Sequence, residues 1–230
     1  MEPHYLQPDL YVGGIRITEF SIALTSLIIT LVCLYAWLRL GRQIRSDENR
    51  LFRIFLLLMG LSTLIGGLAG HAFLYYLPFI VKTPGWVLGM LAVSALAQIS
   101  IQRAKPYLGD FWTRSLTILN LVELLVALGF VFFTLWFPMV EIHSAFSLLL
   151  LVCTLEGWLF FKTRQRSSLF LLWSITFAIA AAGVHVAKIS LGTWITFFDI
   201  GHILMCGTIW MIMRAAEIST TEVPAQLPEA

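Results

Sequence analysis

Four histidines embedded in apolar stretches, His71, His143, His185 and His202, are the residues of this sequence best suited to chemistry, and Asp199 stands three residues before the last of them. Neutral imidazole is the commonest protein ligand for zinc. Three protein ligands plus a water make a catalytic site, and a nearby carboxylate serves as ligand, general base or orienter of an imidazole. His71, His185 and His202 form the natural Zn2+ triad, with Asp199 as the catalytic carboxylate. Each lies near small residues (Gly67, Gly70, Ala181, Gly183, Gly201) that let helix backbones approach closely. The bland alternative gives each histidine its own interhelical hydrogen-bond partner, without convergence. His143, flanked by Pro138 and Glu141, reads most simply as a residue at headgroup level.

Other polar residues are accessory. Glu19, at the outer end of the first apolar run, can approach the histidine layer. Asn120 and Glu123 share one helix face, and Ser94 and Gln98 share another, all near mid-bilayer. They fit a structural hydrogen-bonded network between neighbouring helices, or else a proton relay or substrate contact. Glu156 is expected to pair with Lys162 or Arg164, and Cys206 to pack as a small hydrophobe.

The elements that must position these side chains follow from composition. Of 230 residues, 59% are hydrophobic and 12% charged, and the mean hydropathy is +0.86, which excludes an ordinary soluble domain. At about 20 apolar residues per crossing, the chain accommodates roughly seven helices and no sizeable soluble domain. The net charge of +2, without a basic block, argues against nucleic acid as a partner. Cys33, Cys153 and Cys206 stand singly and form no motif.

Apolar runs fall at about 17–40, 51–77, 84–102, 113–136, 139–161, 168–189 and 194–213. The fold expected is therefore all-α: a polytopic integral membrane protein with a seven-transmembrane-helix bundle over 17–213. An extracytoplasmic segment, 1–16, precedes it and a disordered cytoplasmic tail, 214–230, follows. The first fourteen residues lack the basic stretch of a cleavable signal and are kept in the mature chain. Prolines 78, 84, 106 and 138 lie at run ends or in connections, so unbroken helices are expected. Of the 15 Lys and Arg residues, only Arg16, Lys82 and Lys188 fall on the side of the N-terminus. The positive-inside rule thus places the N-terminus outside and the C-terminus in the cytoplasm. In that frame His71, His143, His185, Asp199 and His202 lie about 8–13 Å inside the outer ends of four helices. His4 alone lies outside the layer.

Seven short-looped helices, N-terminus out, with outer-half histidines on helices 2 and 7, resemble the CREST superfamily of membrane hydrolases, which includes alkaline ceramidases and adiponectin receptors. The resemblance implies His71 and His202 as zinc ligands. The sequence departs from the family in having Gly67 in place of the helix-2 serine, Phe198 and Cys206 in place of a second helix-7 histidine, and no acid in helix 3.

Three functions are open at this stage. One is a zinc-dependent hydrolase of a lipid amide or ester, in which Asp199 assists a metal-bound water. A second is a small-molecule transporter, or a membrane sensor or receptor, with a polar pocket between the helices. The third is a single-haem protein with two of the histidines as axial ligands. The bilayer is the first partner in each.

Overall fold

The computed structural model describes residues 6–42, 46–220 and 222; His4 and most of the expected tail lie outside the described residues. A short hairpin comes first. Strands β1 (Leu10–Val12) and β2 (Ile15–Ile17) pair antiparallel, Leu10 opposite Ile17. Gly13 and Gly14, both at positive φ (58° and 82°), make the two-residue turn that such a tight hairpin requires.

Helices follow: α1 (Phe20–Leu40), α2 (Asp47–Gly67), α3 (Thr83–Thr134), α4 (Pro138–Ala145), α5 (Thr154–Thr163), α6 (Arg166–Val186) and α7 (Phe197–Ser219). Among the described residues, six helical stretches are long and apolar enough to cross a membrane, which makes this a multi-pass membrane protein. Local chemistry sets the starts. Ser46 accepts a hydrogen bond from the Asn49 amide at 3.0 Å, and Asp47 and Glu48 face the positive end of α2. That cap starts α2 four residues before its apolar run.

The 52 residues of α3 would span about 78 Å as one rod, far beyond a hydrocarbon core of about 30 Å. The helix is interrupted at Gly109, whose φ of 77° and ψ of 169° suit only glycine, three residues after Pro106. Hydrogen bonds pair Gln98 with Thr117 (3.2 Å) and Ser94 with Asn120 (3.2 Å). As one number falls the other rises, so the two arms of α3 lie side by side and antiparallel.

Unbroken helices are not what forms. Besides the break at Gly109, a π-helical turn, Leu68–Ala72, ends α2, and a second, Phe146–Cys153, joins α4 to α5. A π turn inserts a residue without needing proline, so a search for proline does not reveal it. Pro106 lies inside helical structure rather than in a connection. At the other end α7 continues through Ser219 with Ala215, Ala216 and Glu217 buried, so the segment expected to be disordered from 214 begins as packed helix.

The main core joins α1, α2, the first arm of α3 and α7 through Ile29, Cys33, Phe52, Phe55, Leu96 and Ile212, all buried. Helices α1 and α2 touch at backbone distance. A Cβ built on Gly67 would meet Ser26 Cβ at 2.9 Å and the Ala23 carbonyl at 3.2 Å, and one on Gly60 would meet Cys33 Cβ at 3.1 Å.

Candidate functional site between α1, α2 and α7

Glu19 and His71 form the first half of the site. Glu19 caps α1 in the left-handed conformation (φ 46°, ψ 48°), a placement that costs a non-glycine residue about 1–3 kcal/mol and persists only where the surroundings hold it. They do hold it. The Thr18 amide donates to the Ala72 carbonyl at 3.0 Å, and the Thr18 hydroxyl donates to the His71 carbonyl, tying the end of β2 to the end of α2. The π turn then aims His71 so that Nδ1 lies 2.7 Å from Glu19 Oε2, and the Leu6 amide donates to Glu19 Oε1 at 3.2 Å. Glu19 stands just outside the α1 span. Its burial works to raise the carboxyl pKa, but the hydrogen bond and charge of His71, with lesser help from the Leu6 amide and the charge of Lys82, outweigh burial and hold it below its ordinary 4.5.

The second half belongs to α7. Thr196 and Asp199 form a capping box: the Thr196 amide and hydroxyl donate to Asp199 Oδ2 at 2.8 and 2.7 Å. Gln7 Nε2 also donates to Oδ2, at 3.1 Å, and the Thr25 hydroxyl lies 3.3 Å from Oδ1. Asp199 is therefore buried with its oxygens engaged by Thr196, Gln7 and Thr25. One turn later, His202 Nδ1 lies 2.8 Å from Thr25 Oγ1 and 3.5 Å from Ser26 Oγ. Gln7 also bonds Ser21, whose hydroxyl donates to the Trp194 carbonyl at 2.6 Å, so residues 6–7 lie across the N-terminal ends of α1 and α7.

The two halves face each other. The His71 and His202 rings are 6.4 Å apart, centre to centre, at 77°. In both, the nitrogen engaged by a side chain is Nδ1, which leaves Nε2 without a side-chain hydrogen-bond partner among the described residues. An imidazole whose Nδ1–H is directed at a carboxylate or hydroxyl presents an Nε2 lone pair. Glu19 and Asp199 place two carboxylates beside this pair of imidazoles.

His185 is placed differently. Its ring packs against Phe197 and Phe198, at 5.1 and 5.0 Å, and its Nε2 lies 3.7 Å from Glu141 Oε1. Phe198 also contacts His71 (5.7 Å) and His202 (6.5 Å), so an aromatic ring occupies the middle of the proposed triad. Among the described residues no group of three or more His, Cys, Asp or Glu side chains is arranged to hold a metal. Two imidazoles are one short of the three protein ligands of a catalytic zinc, and these side chains as placed do not fit that group.

His143 is fully buried within the bundle. Its Nδ1 meets Glu123 Oε2 at 2.6 Å and its Nε2 meets the Met90 carbonyl at 3.0 Å, so both nitrogens are satisfied between α3 and α4. Asn120 bonds Ser94 through side chain and backbone. These residues form rungs between the arms of α3 and are remote in contact from His71 and His202. Glu156 pairs with neither Lys162 nor Arg164. It is fully buried and accepts from Arg103 Nε at 3.0 Å, while Arg103 also reaches Glu48 (2.6 Å), Ser167 (2.7 Å) and Ser168 (3.1 Å). Lys162 and Arg164 lie over aromatic rings instead.

Gln7, Thr25 and Ser26 have no counterpart among the residues singled out from sequence. Hydroxyls at 25 and 26 inside an apolar run were the available signal, and ranking by ionisable groups alone passes over them.

Residues 21–221, from α1 through α7, match the model of a family described as a family of unknown function, DUF6962. No curated protein and no solved structure matches the chain.

Proposed function

We propose, for a chain that belongs to the DUF6962 family, that it is a membrane sensor or receptor. It crosses the bilayer seven times, the two arms of α3 counting separately, with its N-terminus outside. It binds a small ligand bearing an amine or other donor groups between α1, α2 and α7. The observation that carries this reading is the pair of imidazoles, His71 and His202, each fixed through Nδ1 and facing the other at 6.4 Å.

A receptor suits the packing better than a carrier. Towards the cytoplasmic side of the site, α1, α2 and α7 close over buried Ile29, Cys33, Phe55, Leu56, Ile209 and Ile212. Beyond the Thr30–Thr63 pair, dense apolar packing closes the way onward. The zinc-dependent hydrolase lacks a third ligand among the described residues in this geometry. A haem between His71 and His202 would have to fill a gap that the Phe198 ring already borders.

The test is thermal unfolding of detergent-purified protein with ethylammonium, ethanolamine or Zn2+ as probe, using wild type, His71→Gln, His202→Gln and the double variant. A saturable rise in Tm with an amine probe, lost in the double variant, is expected. A rise with Zn2+ alone overturns the amine assignment in favour of a metal site. No rise with any probe, or equal rises in the double variant, overturns the site. Flux of the stabilising amine into proteoliposomes would overturn the receptor in favour of a transporter.

A further inference from the structure

A groove on the surface of α6 and α7 combines a basic end with an apolar wall. Its volume is about 430 Å3, and it is lined by Arg166, Leu169, Phe170, Trp173 and Phe177 of α6 and by Met211 of α7. The α6 residues recur at intervals of three and four, so they form one stripe of the helix. Eleven residues separate Arg166 from Phe177, a rise of about 16 Å, which matches half of a hydrocarbon core of about 30 Å. The stripe is thus one leaflet deep, with a cation at one end and apolar side chains along the rest.

The groove has a built floor. A Cβ on Gly207 would lie 2.9–3.2 Å from three carbons of the Phe177 ring, so the ring rests directly on α7 where that helix has no side chain. Trp173 and Leu169 remain exposed along the wall. At the charged end, the Arg166 amide donates to Glu222 Oε1 at 2.6 Å, and Glu222 also accepts from the Ser167 amide at 3.4 Å and from the Ser167 hydroxyl. Glu222 is therefore occupied by the start of α6. The Arg166 guanidinium itself makes no hydrogen bond or ion pair with another described residue.

We infer that this groove holds one anionic phospholipid of the cytoplasmic leaflet, its headgroup phosphate at Arg166 and an acyl chain along Leu169, Trp173 and Phe177. Charge at one end and a leaflet-length apolar groove together select an amphiphile, where a free phosphate would use only the arginine. The inference rests on α6 and α7 crossing the membrane with Arg166 on the cytoplasmic side, and not on the histidine site.

Native mass spectrometry of the full chain in dodecyl maltoside, titrated with dioleoyl-phosphatidylglycerol or dioleoyl-phosphatidylcholine, tests it. Wild type should retain one phosphatidylglycerol about fivefold more tightly than phosphatidylcholine, the ratio that one basic residue near a membrane surface supplies. Arg166→Gln should abolish that preference and Arg166→Lys should keep it. Met211→Trp, which fills the groove, should weaken both lipids. Equal retention of the two lipids by wild type would mean ordinary boundary lipid and overturn the inference, as would a preference that survives Arg166→Gln. Displacement of phosphatidylglycerol by millimolar inorganic phosphate would overturn the lipid in favour of a free-anion site. The Tm response of His71 and His202 variants is read on a different probe, so either proposal can fail alone.

Discussion

Replacing Gly67 by alanine should destabilise the protein relative to replacing Gly66, although the two are adjacent in α2. A Cβ at Gly67 would stand 2.9 Å from Ser26 Cβ and 3.2 Å from the Ala23 carbonyl, whereas a Cβ at Gly66 meets nothing within 4 Å. Both substitutions gain about 0.5–1 kcal/mol by removing a glycine from a helix, and that gain cancels when the variants are compared with each other. What remains is the overpacking at 67, about 1–3 kcal/mol. The atoms in the way are a Cβ and a backbone carbonyl, which cannot swing aside as a side-chain tip does, so α1 and α2 must separate. Gly67→Ala should therefore lie about 1–3 kcal/mol below Gly66→Ala in unfolding of purified protein in mixed detergent micelles. The displacement reaches the candidate site as well. His71 follows Gly67 by one turn and Glu19 precedes Ala23 by one turn, so separating the helices pulls His71 from Glu19, and the response to the amine probe should weaken in Gly67→Ala while persisting in Gly66→Ala. A Gly67→Ala protein as stable as Gly66→Ala, or more so, would refute the close approach of α1 and α2 and with it the placement of His71.

Two further outcomes test the charged groups. Glu19 is held below its ordinary pKa of 4.5, so its contribution to stability is complete above that value and is lost as pH falls through the lower folded-state pKa. Thermal unfolding between about pH 3 and pH 7 should show an acid-side loss in wild type that Glu19→Gln lacks, and identical acid limbs would count against the Glu19–His71 pair. Arg103→Met removes the partner of the fully buried Glu156, whose Oε2 already has no hydrogen bond, and should cost about 3–5 kcal/mol. A loss below about 1 kcal/mol, typical of an exposed pair, would show that Glu156 is solvated.

What was legible in the sequence was whatever long apolar runs and charge signs control. The membrane-length helices and their approximate ends follow from runs of about 20 residues broken by charge, and so does the common level of His71, His202 and Asp199 near helix ends. The approach of Glu19 to His71 was accessible too, since depth alone puts both at one level. Convergence was not, because rotation about each helix axis is set by packing. Phe198 shows this: one residue before Asp199, it turns its ring into the place where a third ligand would have to reach. Arg103 shows it again. Glu156 has basic residues six and eight positions on, yet its partner comes from α3, since a fully buried carboxylate is satisfied by whichever cation the packing also buries. The π turns at 68–72 and 146–153 leave no compositional trace, and the left-handed Glu19 is fixed by contacts from β2, α2 and residue 6 that no local pattern announces.

The polar groups at the two ends of the bundle do different work, and the difference is visible in what each costs. At the Arg103 end, one guanidinium gathers groups from α2, α5 and α6, and removing either charge of the Arg103–Glu156 pair leaves the other buried and poorly compensated. At the His71 end, a carboxylate residue is held in a left-handed conformation, the helix that carries the imidazole is widened by the inserted residue of a π turn, and two ring nitrogens have no side-chain partner among the described residues. Interhelical glue requires none of this, since a Ser or Thr on a regular helix makes the same kind of bond at lower cost, as Thr30 and Thr63 do one turn deeper at 2.9 Å. A left-handed Glu19 held by its neighbours, beside two imidazoles whose Nε2 atoms have no side-chain partner among the described residues, is what favours the binding proposal at the His71 end.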